Sequence, residues 1–170
     1  YLKVLGWAEF EVALVVPKRE QRIPHLLTRA EVGRILRACP NAKQRMLLET
    51  CYGCGLRVSE LVRLRVSDID GERSLLRIEQ GKGAKDRLVV IAPALLERLR
   101  GYWRAYRPAR WLFPNPQRPD RALSICTAQK VYTRAKRAAG IDKVGGIHSL
   151  RPPLLAMAAG VAHPTIVGHL

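Results

Sequence analysis

The sequence predicts a mainly α domain with one small antiparallel β-sheet, an α+β fold. Three observations carry this reading. Five segments space their apolar residues at the helical interval. Two β-prone runs flank a glycine-containing loop. Hydrophobic residues make up 48 % of the 170 positions, enough to bury a core.

The elements follow in chain order. Residues 1–25 combine the apolar Trp7, Phe10, Val12 and Leu14 with a charged stretch closed by Pro17 and Pro24, the composition of a linker. Thr28-Arg29-Ala30-Glu31 is a capping box that opens a helix with Val32, Ile35 and Leu36 on one face, closed by Pro40. A second helix runs from about Lys43 to Tyr52, with Met46, Leu47 and Leu48 as core candidates, and Gly53 and Gly55 break it. A third starts near Arg57 and carries Val58, Leu61, Val62 and Leu64. Ser67 to Gly71 reads as a turn. Residues 74–79 and 87–91 read as two strands joined by the hairpin loop Gln80 to Asp86. Pro93 starts a helix reaching about Tyr106, residues 107–122 read as an exposed Pro- and Arg-rich loop, and residues 124–139 are helical up to Gly140.

A formal charge of +16 and a pI near 10.6 point to a polyanionic partner. The basic residues are spread through the domain, as expected of broad contact with nucleic acid. No run approaches the ~20 apolar residues of a membrane span. No signal peptide is visible, and the expected location is the cytoplasm. The chain starts at Tyr1 rather than Met, so it is expected to begin inside a longer reading frame. Cys51 and Cys54 form a C-x-x-C pair, but neither Cys39 nor Cys126 has a close second cysteine, so neither zinc nor any cofactor is expected.

Three constellations could carry chemistry. In Gly55-Leu56-Arg57-Val58-Ser59-Glu60-Leu61, Arg57 stands at a helix start, where its guanidinium and free backbone N–H groups can face one anion, and Glu60 lies one turn on. An ordinary surface Arg–Glu pair would look the same. In Gly81-Lys82-Gly83-Ala84-Lys85-Asp86-Arg87, glycines allow close approach to a backbone, and Lys82 or Lys85 could deliver a proton or meet a phosphate; a solvated basic turn has the same composition. In His148-Ser149-Leu150-Arg151, a helix start would put imidazole and guanidinium on one face, a pairing that suits phosphoryl transfer; a half-buried histidine near a loop is the alternative.

Together and in this order, the three strings resemble the motifs of the tyrosine recombinase and integrase family, over about residues 26 to 151, with Leu112-Phe113-Pro114 also similar. The resemblance implies the catalytic-domain fold of that family, with residues 1–25 as the tail of a core-binding domain plus interdomain linker and 26–170 as a catalytic domain incomplete at its C-terminus. It implies site-specific recombination or integration of double-stranded DNA through a 3′-phosphotyrosine, reversed by a free 5′-hydroxyl, with no metal or ATP, on a homo-tetramer of the full-length protein at paired sites. Arg57 and Arg151 match the two phosphate-clamping arginines. Lys82 matches the hairpin lysine that protonates the leaving oxygen, with Lys85 and Arg87 as nearby DNA contacts and Glu60 in support. His148 matches the general acid/base histidine. His169, in Gly168-His169-Leu170, matches the later histidine that hydrogen-bonds the phosphate.

The sequence departs from the family in three ways. Pro152-Pro153 follows Arg151 where the family continues a helix, so the helix start is expected to shift. The interval from Arg151 to His169 is short by about one helical turn. None of Tyr1, Tyr52, Tyr102, Tyr106 and Tyr132 occupies the nucleophile's position. The expectation is a recombinase relative that does not cut DNA in cis as written. The alternative is a non-catalytic DNA-binding remnant of a decayed or truncated integrase. A type IB topoisomerase shares the chemistry, but the hairpin and the integrase-like linker weigh against it.

Overall fold

The computed structural model describes residues 26–79 and 86–151. Among them, five α-helices surround one core, and a three-stranded antiparallel sheet lies beside it. No helix among the described residues is long and apolar enough to cross a membrane.

Helix α1 (Arg29–Arg37) begins where the sequence places it. Thr28 Oγ1 accepts from the Glu31 amide and Glu31 returns to the Thr28 amide at 2.7 Å, which satisfies two of the donors a helix start leaves open. Val32, Ile35 and Leu36 are buried. Helix α2 (Ala42–Gly53) is capped by Asn41 and buries Met46, Leu47, Leu48 and Cys51. Its last residue is glycine for a packing reason. A Cβ on Gly53 would lie 2.5 Å from Cδ2 of Leu95, so a larger residue here would push that buried side chain aside.

Helix α3 (Val58–Val62) is one turn and a half, shorter than the predicted run to Leu64. A 3-10 turn at Val66–Asp68 follows and leads into strand β1 (Ile69–Asp70). The sequence reading made Ser67 to Gly71 a turn, and Ile69-Asp70 is instead the edge of the sheet. It pairs with β2 (Leu75–Ile78), Ile69 opposite Leu76, and β2 pairs with β3 (Arg87–Val90), Leu76 opposite Val89. A two-residue strand has no alternation to detect, so only its partner reveals it. Leu76 and Ile78 face the core, while Leu88 and Val90 face outward.

Helix α4 (Pro93–Tyr106) opens on proline, whose missing N–H costs nothing at that position, and packs Leu95, Leu96, Leu99 and Tyr102 inward against α2. The 107–122 stretch is less exposed than predicted. Leu112 and Phe113 are buried, and isolated bridges join Arg65 to Trp111 and Pro114 to Ala122. Helix α5 (Ile125–Ala138), capped by Ser124, buries Ala128, Val131, Tyr132 and Ala135 and packs against α1, α2 and α3. A second 3-10 turn, Ile147–Leu150, rests on α2 and α5. Each fully buried aliphatic side chain contributes about 1.5–3 kcal/mol, so these inward stripes hold the frame on which the site stands.

Candidate active site

The site grows from the end of α2. Gly55 adopts φ 59°, a left-handed conformation that favours glycine, and the chain reverses from α2 into α3 there. Leu56 is buried beneath the turn, and its carbonyl accepts from the Cys51 thiol at 3.6 Å. Arg57 is thereby set at the N-cap of α3, in an extended conformation, with 58 % of its side chain exposed.

Glu60 organises what surrounds Arg57. Its side chain is only 8 % exposed. Oε2 accepts from the Arg57 backbone amide at 2.7 Å and from Arg87 Nη2 at 2.9 Å, and Oε1 accepts from Arg87 Nη1 at 2.7 Å. The Arg57 guanidinium reaches Oε1 at 3.3 Å. Arg87 is thus held in a two-pronged carboxylate bond, the strong geometry for this pair, while most of the Arg57 fork is unspent among the described residues. Burial pushes the Glu60 carboxyl up, but the hydrogen bonds from Arg87 and from the Arg57 amide outweigh it and hold the group below its ordinary value. Sequence reasoning made Arg87 a DNA contact; the structure engages its fork on Glu60, 27 positions away, which spacing alone does not reveal.

His148 lies in the second 3-10 turn, and Arg151 is the residue that caps its end. His148 is exposed, and the Arg151 amide donates to the His148 carbonyl at 3.0 Å. The segment is a 3-10 turn ending at Leu150 and not the α-helix start the sequence reading considered. Arg151 leaves the turn at φ −71°, ψ 119°. That is the extended conformation imposed on a residue before proline, and Pro152 follows. Helix α2 packs against both α3 and the second 3-10 turn, so the two motifs meet on one helix; the Glu60 carboxylate and the Arg151 guanidinium both act electrostatically on its Cys51 thiol. Burial first, and Glu60 among the lesser causes, push that thiol up to about 12; burial does the same for Cys54.

Two lysines missed by sequence reasoning set the approach to His148. Lys136 Nζ donates to the carbonyls of Lys143 at 2.6 Å and Gly145 at 3.5 Å. Lys143 Nζ donates to Glu31 Oε2 at 2.8 Å and to the Leu26 carbonyl at 3.1 Å. Gly145, at φ 148°, lies over the Ser149 hydroxyl, where a Cβ would collide with Oγ. Nothing in the sequence distinguishes these two cations from the other basic residues.

Lys82, Lys85, His169 and the Pro152-Pro153 pair lie outside the described residues, as do Tyr1 and the 1–25 lead-in. Of the other tyrosines, Tyr102 is buried and donates to the Leu112 carbonyl at 3.1 Å, and Tyr132 is 1 % exposed. Tyr52 is half-buried, and Tyr106 is exposed with the Lys43 ammonium 4.7 Å from its ring centre.

The profile of the phage integrase family matches residues 25–159. The "Putative integrase/recombinase y4eF" of Sinorhizobium fredii is 49 % identical over 145 residues, covering 85 % of this chain and 57 % of that protein. Tyrosine recombinase XerA of Thermococcus onnurineus is 45 % identical over 104 residues, 60 % of this chain and 37 % of that one. A crystal structure of XerA recombinase superposes with a TM-score of 0.69 at 27 % identity, covering 88 % of this chain and 54 % of the other. A lambda integrase tetramer bound to a Holliday junction has the same fold, with a TM-score of 0.69 at 22 % identity, over 88 % of this chain and 47 % of its own. The chain spans about half the length of the curated relatives it matches. With its profile matched over most of its length and its helix-rich fold shared with recombinase catalytic domains, the chain belongs to the phage integrase family of tyrosine recombinases.

Proposed function

We propose that residues 26–170 are the catalytic domain of a DNA strand-exchange protein, preceded by the tail of a core-binding domain and a linker in residues 1–25. The observation that carries this is the exposed fork of Arg57, held at a helix start over the Glu60–Arg87 clamp inside the family's own motif. Arg57 and Arg151 would grip the scissile phosphodiester, and their charge would offset the charge that builds on its non-bridging oxygens. His148 would exchange a proton there. Lys82 would protonate the departing 5′-oxygen, Lys85 would meet a flanking phosphate, Arg87 would reach DNA only when released from Glu60, and His169 would hydrogen-bond the phosphate.

In the whole protein, a tyrosine hydroxyl would attack phosphorus as the P–O5′ bond breaks. The 5′-oxygen would leave as a hydroxyl, whose return reverses the step on a tetramer at paired sites. No metal or other cofactor enters this balance. The polypeptide of these 170 residues would bind duplex DNA and form no covalent link. The specific support is the tyrosines themselves: Tyr102 and Tyr132 are buried, and none of Tyr1, Tyr52 and Tyr106 stands where the family resemblance puts the nucleophile. This is the alternative reading, non-catalytic DNA binding, applied to these 170 residues.

The test combines a salt titration with a trapping assay on a nicked suicide duplex, with a full-length relative as positive control. The expected result is binding whose logarithm falls linearly with log salt, at a slope near −0.9 for each phosphate engaged, and no denaturation-resistant adduct. Salt-independent binding would sink the DNA reading, and an adduct would sink the assignment of the tyrosines.

A further inference from the structure

The two edges of the sheet are built differently. β1 is only two residues long, and the Asp70 carboxylate at its end accepts from the amides of Glu72 and Arg73, which turns the chain away. A short, charged strand is the ordinary protection of a sheet edge. β3 has four residues and no proline, and among the described residues it pairs only with β2. Its one charged side chain, Arg87, is spent on Glu60.

Hydrogen-bond direction shows what the β3 edge presents. The Ile91 amide donates to the Ser74 carbonyl at 2.8 Å, toward the β2 side. Bonding alternates along an antiparallel ladder, so Val89 and Arg87 also bond across to Leu76 and Ile78. Leu88 and Val90 therefore turn their N–H and C=O groups away from β2. The same two residues are exposed apolar ones, at 64 % and 71 %. An edge with open backbone groups and two aliphatic side chains on one face is a template for a further strand.

The chain itself carries a segment that fits this template. Phe10-Glu11-Val12-Ala13-Leu14-Val15-Val16 puts large apolar residues at alternate positions and is followed by Pro17. Trp7, Phe10 and Leu14 also stand at a helical interval, but the three valines and the proline favour an extended chain. In a strand, Phe10, Val12, Leu14 and Val16 share one face, and Glu11 and Ala13 take the other. The first face matches Leu88 and Val90. The second matches the Val89 and Arg87 side of the sheet, where an acidic residue complements a cation. The chain from Val16 to Leu26 can span roughly 33 Å when extended, enough to cross a domain with a radius of gyration of ~13 Å. A tether of this length gives an effective concentration on the order of millimolar, which favours this occupant over a second copy.

We infer that residues 10–16 add a fourth strand to the sheet, paired with the outer edge of β3 and covering Leu88 and Val90. The lead-in then lies one strand from the Arg87–Glu60 bond. This pairing concerns the sheet edge alone and holds whether or not the chain binds DNA.

The test is amide hydrogen exchange, resolved by residue with NMR, on the full 170-residue chain without DNA. The Leu88 and Val90 amides are expected to exchange at least about tenfold more slowly than in an unfolded chain, at a rate independent of protein concentration. Val12→Pro removes a pairing group, and Leu14→Asp removes apolar cover while keeping its N–H; neither residue belongs to the described core. Both variants should return Leu88 and Val90 toward the unfolded rate, the proline by more, and leave the Val89 amide, bonded to β2, unchanged. Unfolded-chain exchange at Leu88 and Val90 in the unsubstituted protein overturns the inference, as does protection that survives both substitutions. Protection that grows with protein concentration overturns it too, and gives the edge to a second copy.

Discussion

Glu49 and Glu60 are both carboxylates whose side chains keep 8 % of their surface exposed, and each holds two arginines. Glu49 gives one oxygen to Arg45, a turn earlier on α2, at 3.0 Å and the other to Arg98 on α4 at 2.9 Å. Both bonds run through Nε; the first lies within α2 and the second fastens α2 to α4. Glu60 spends both oxygens on the fork of Arg87 and one of them also on the backbone amide of Arg57. Among the described residues, the Arg57 side chain is left with a single hydrogen bond, at 3.3 Å. The same carboxylate chemistry therefore ends in a closed fastening in one region and in a presented cation in the other. What separates them is geometry: Glu60 binds its second arginine by the main chain, which fixes the residue's place and leaves its charge available.

Substitutions can break this contrast. The largest effect is expected from Glu60→Ala, which strands Arg87 and frees the start of α3. Urea unfolding should show a loss of about 2 kcal/mol, below the ~3–5 kcal/mol of a fully buried pair because Arg87 is 30 % exposed. DNA affinity should fall as well. Glu49→Gln comes next, with about 1 kcal/mol lost, since both of its arginines are well solvated and the amide keeps one acceptor. DNA binding should stay at the wild-type value; an equal loss of binding in this variant would erase the distinction between the two regions. Arg57→Ala should reverse the pattern, with unfolding changed by no more than about 0.5 kcal/mol. In a salt titration its binding slope should drop by about one, the signature of one lost phosphate contact.

The smallest effect concerns pH. The Lys143 ammonium first, with the Thr28 amide next, lowers the Glu31 carboxyl to about 2 from 4.5. A folded-state value below the unfolded one means the stabilisation is complete above about 4.5 and disappears as pH falls through about 2. Thermal unfolding of Lys143→Ala should therefore lose less stability than wild type between those two values. Parallel curves would show that the Lys143–Glu31 contact is not maintained in solution.

Local signals in the sequence located most of the fold. The capping box at Thr28, the proline at Pro93 and the inward stripes of α1, α2, α4 and α5 each rest on neighbours within one or two turns, and those neighbours are visible in order. The losses occur where a residue's partner is distant. Ile69-Asp70 becomes a strand only because Leu75-Leu76 lies beside it. Leu112 and Phe113 are covered by residues from other elements, although their surroundings are rich in proline and arginine. The site divides in the same way. Arg57, Glu60, His148 and Arg151 are marked by short strings, whereas the bond between Arg87 and Glu60 and the convergence of Arg63, Arg77 and Asp68 on one groove depend on how the sheet meets α3. The proline after Arg151 was readable as a disturbance, and its physical result is an extended Arg151 at the end of a 3-10 turn.

The Lys143 tether closes a long stretch of chain into a ring. Its ammonium is fastened to the Leu26 carbonyl, 117 positions earlier, and its own carbonyl is fastened to Lys136 on α5. Leu26 and the loop five residues before His148 are thus joined by one side chain. Glu31 on α1 binds the same ammonium, so the first helix and the approach to His148 share one anchor.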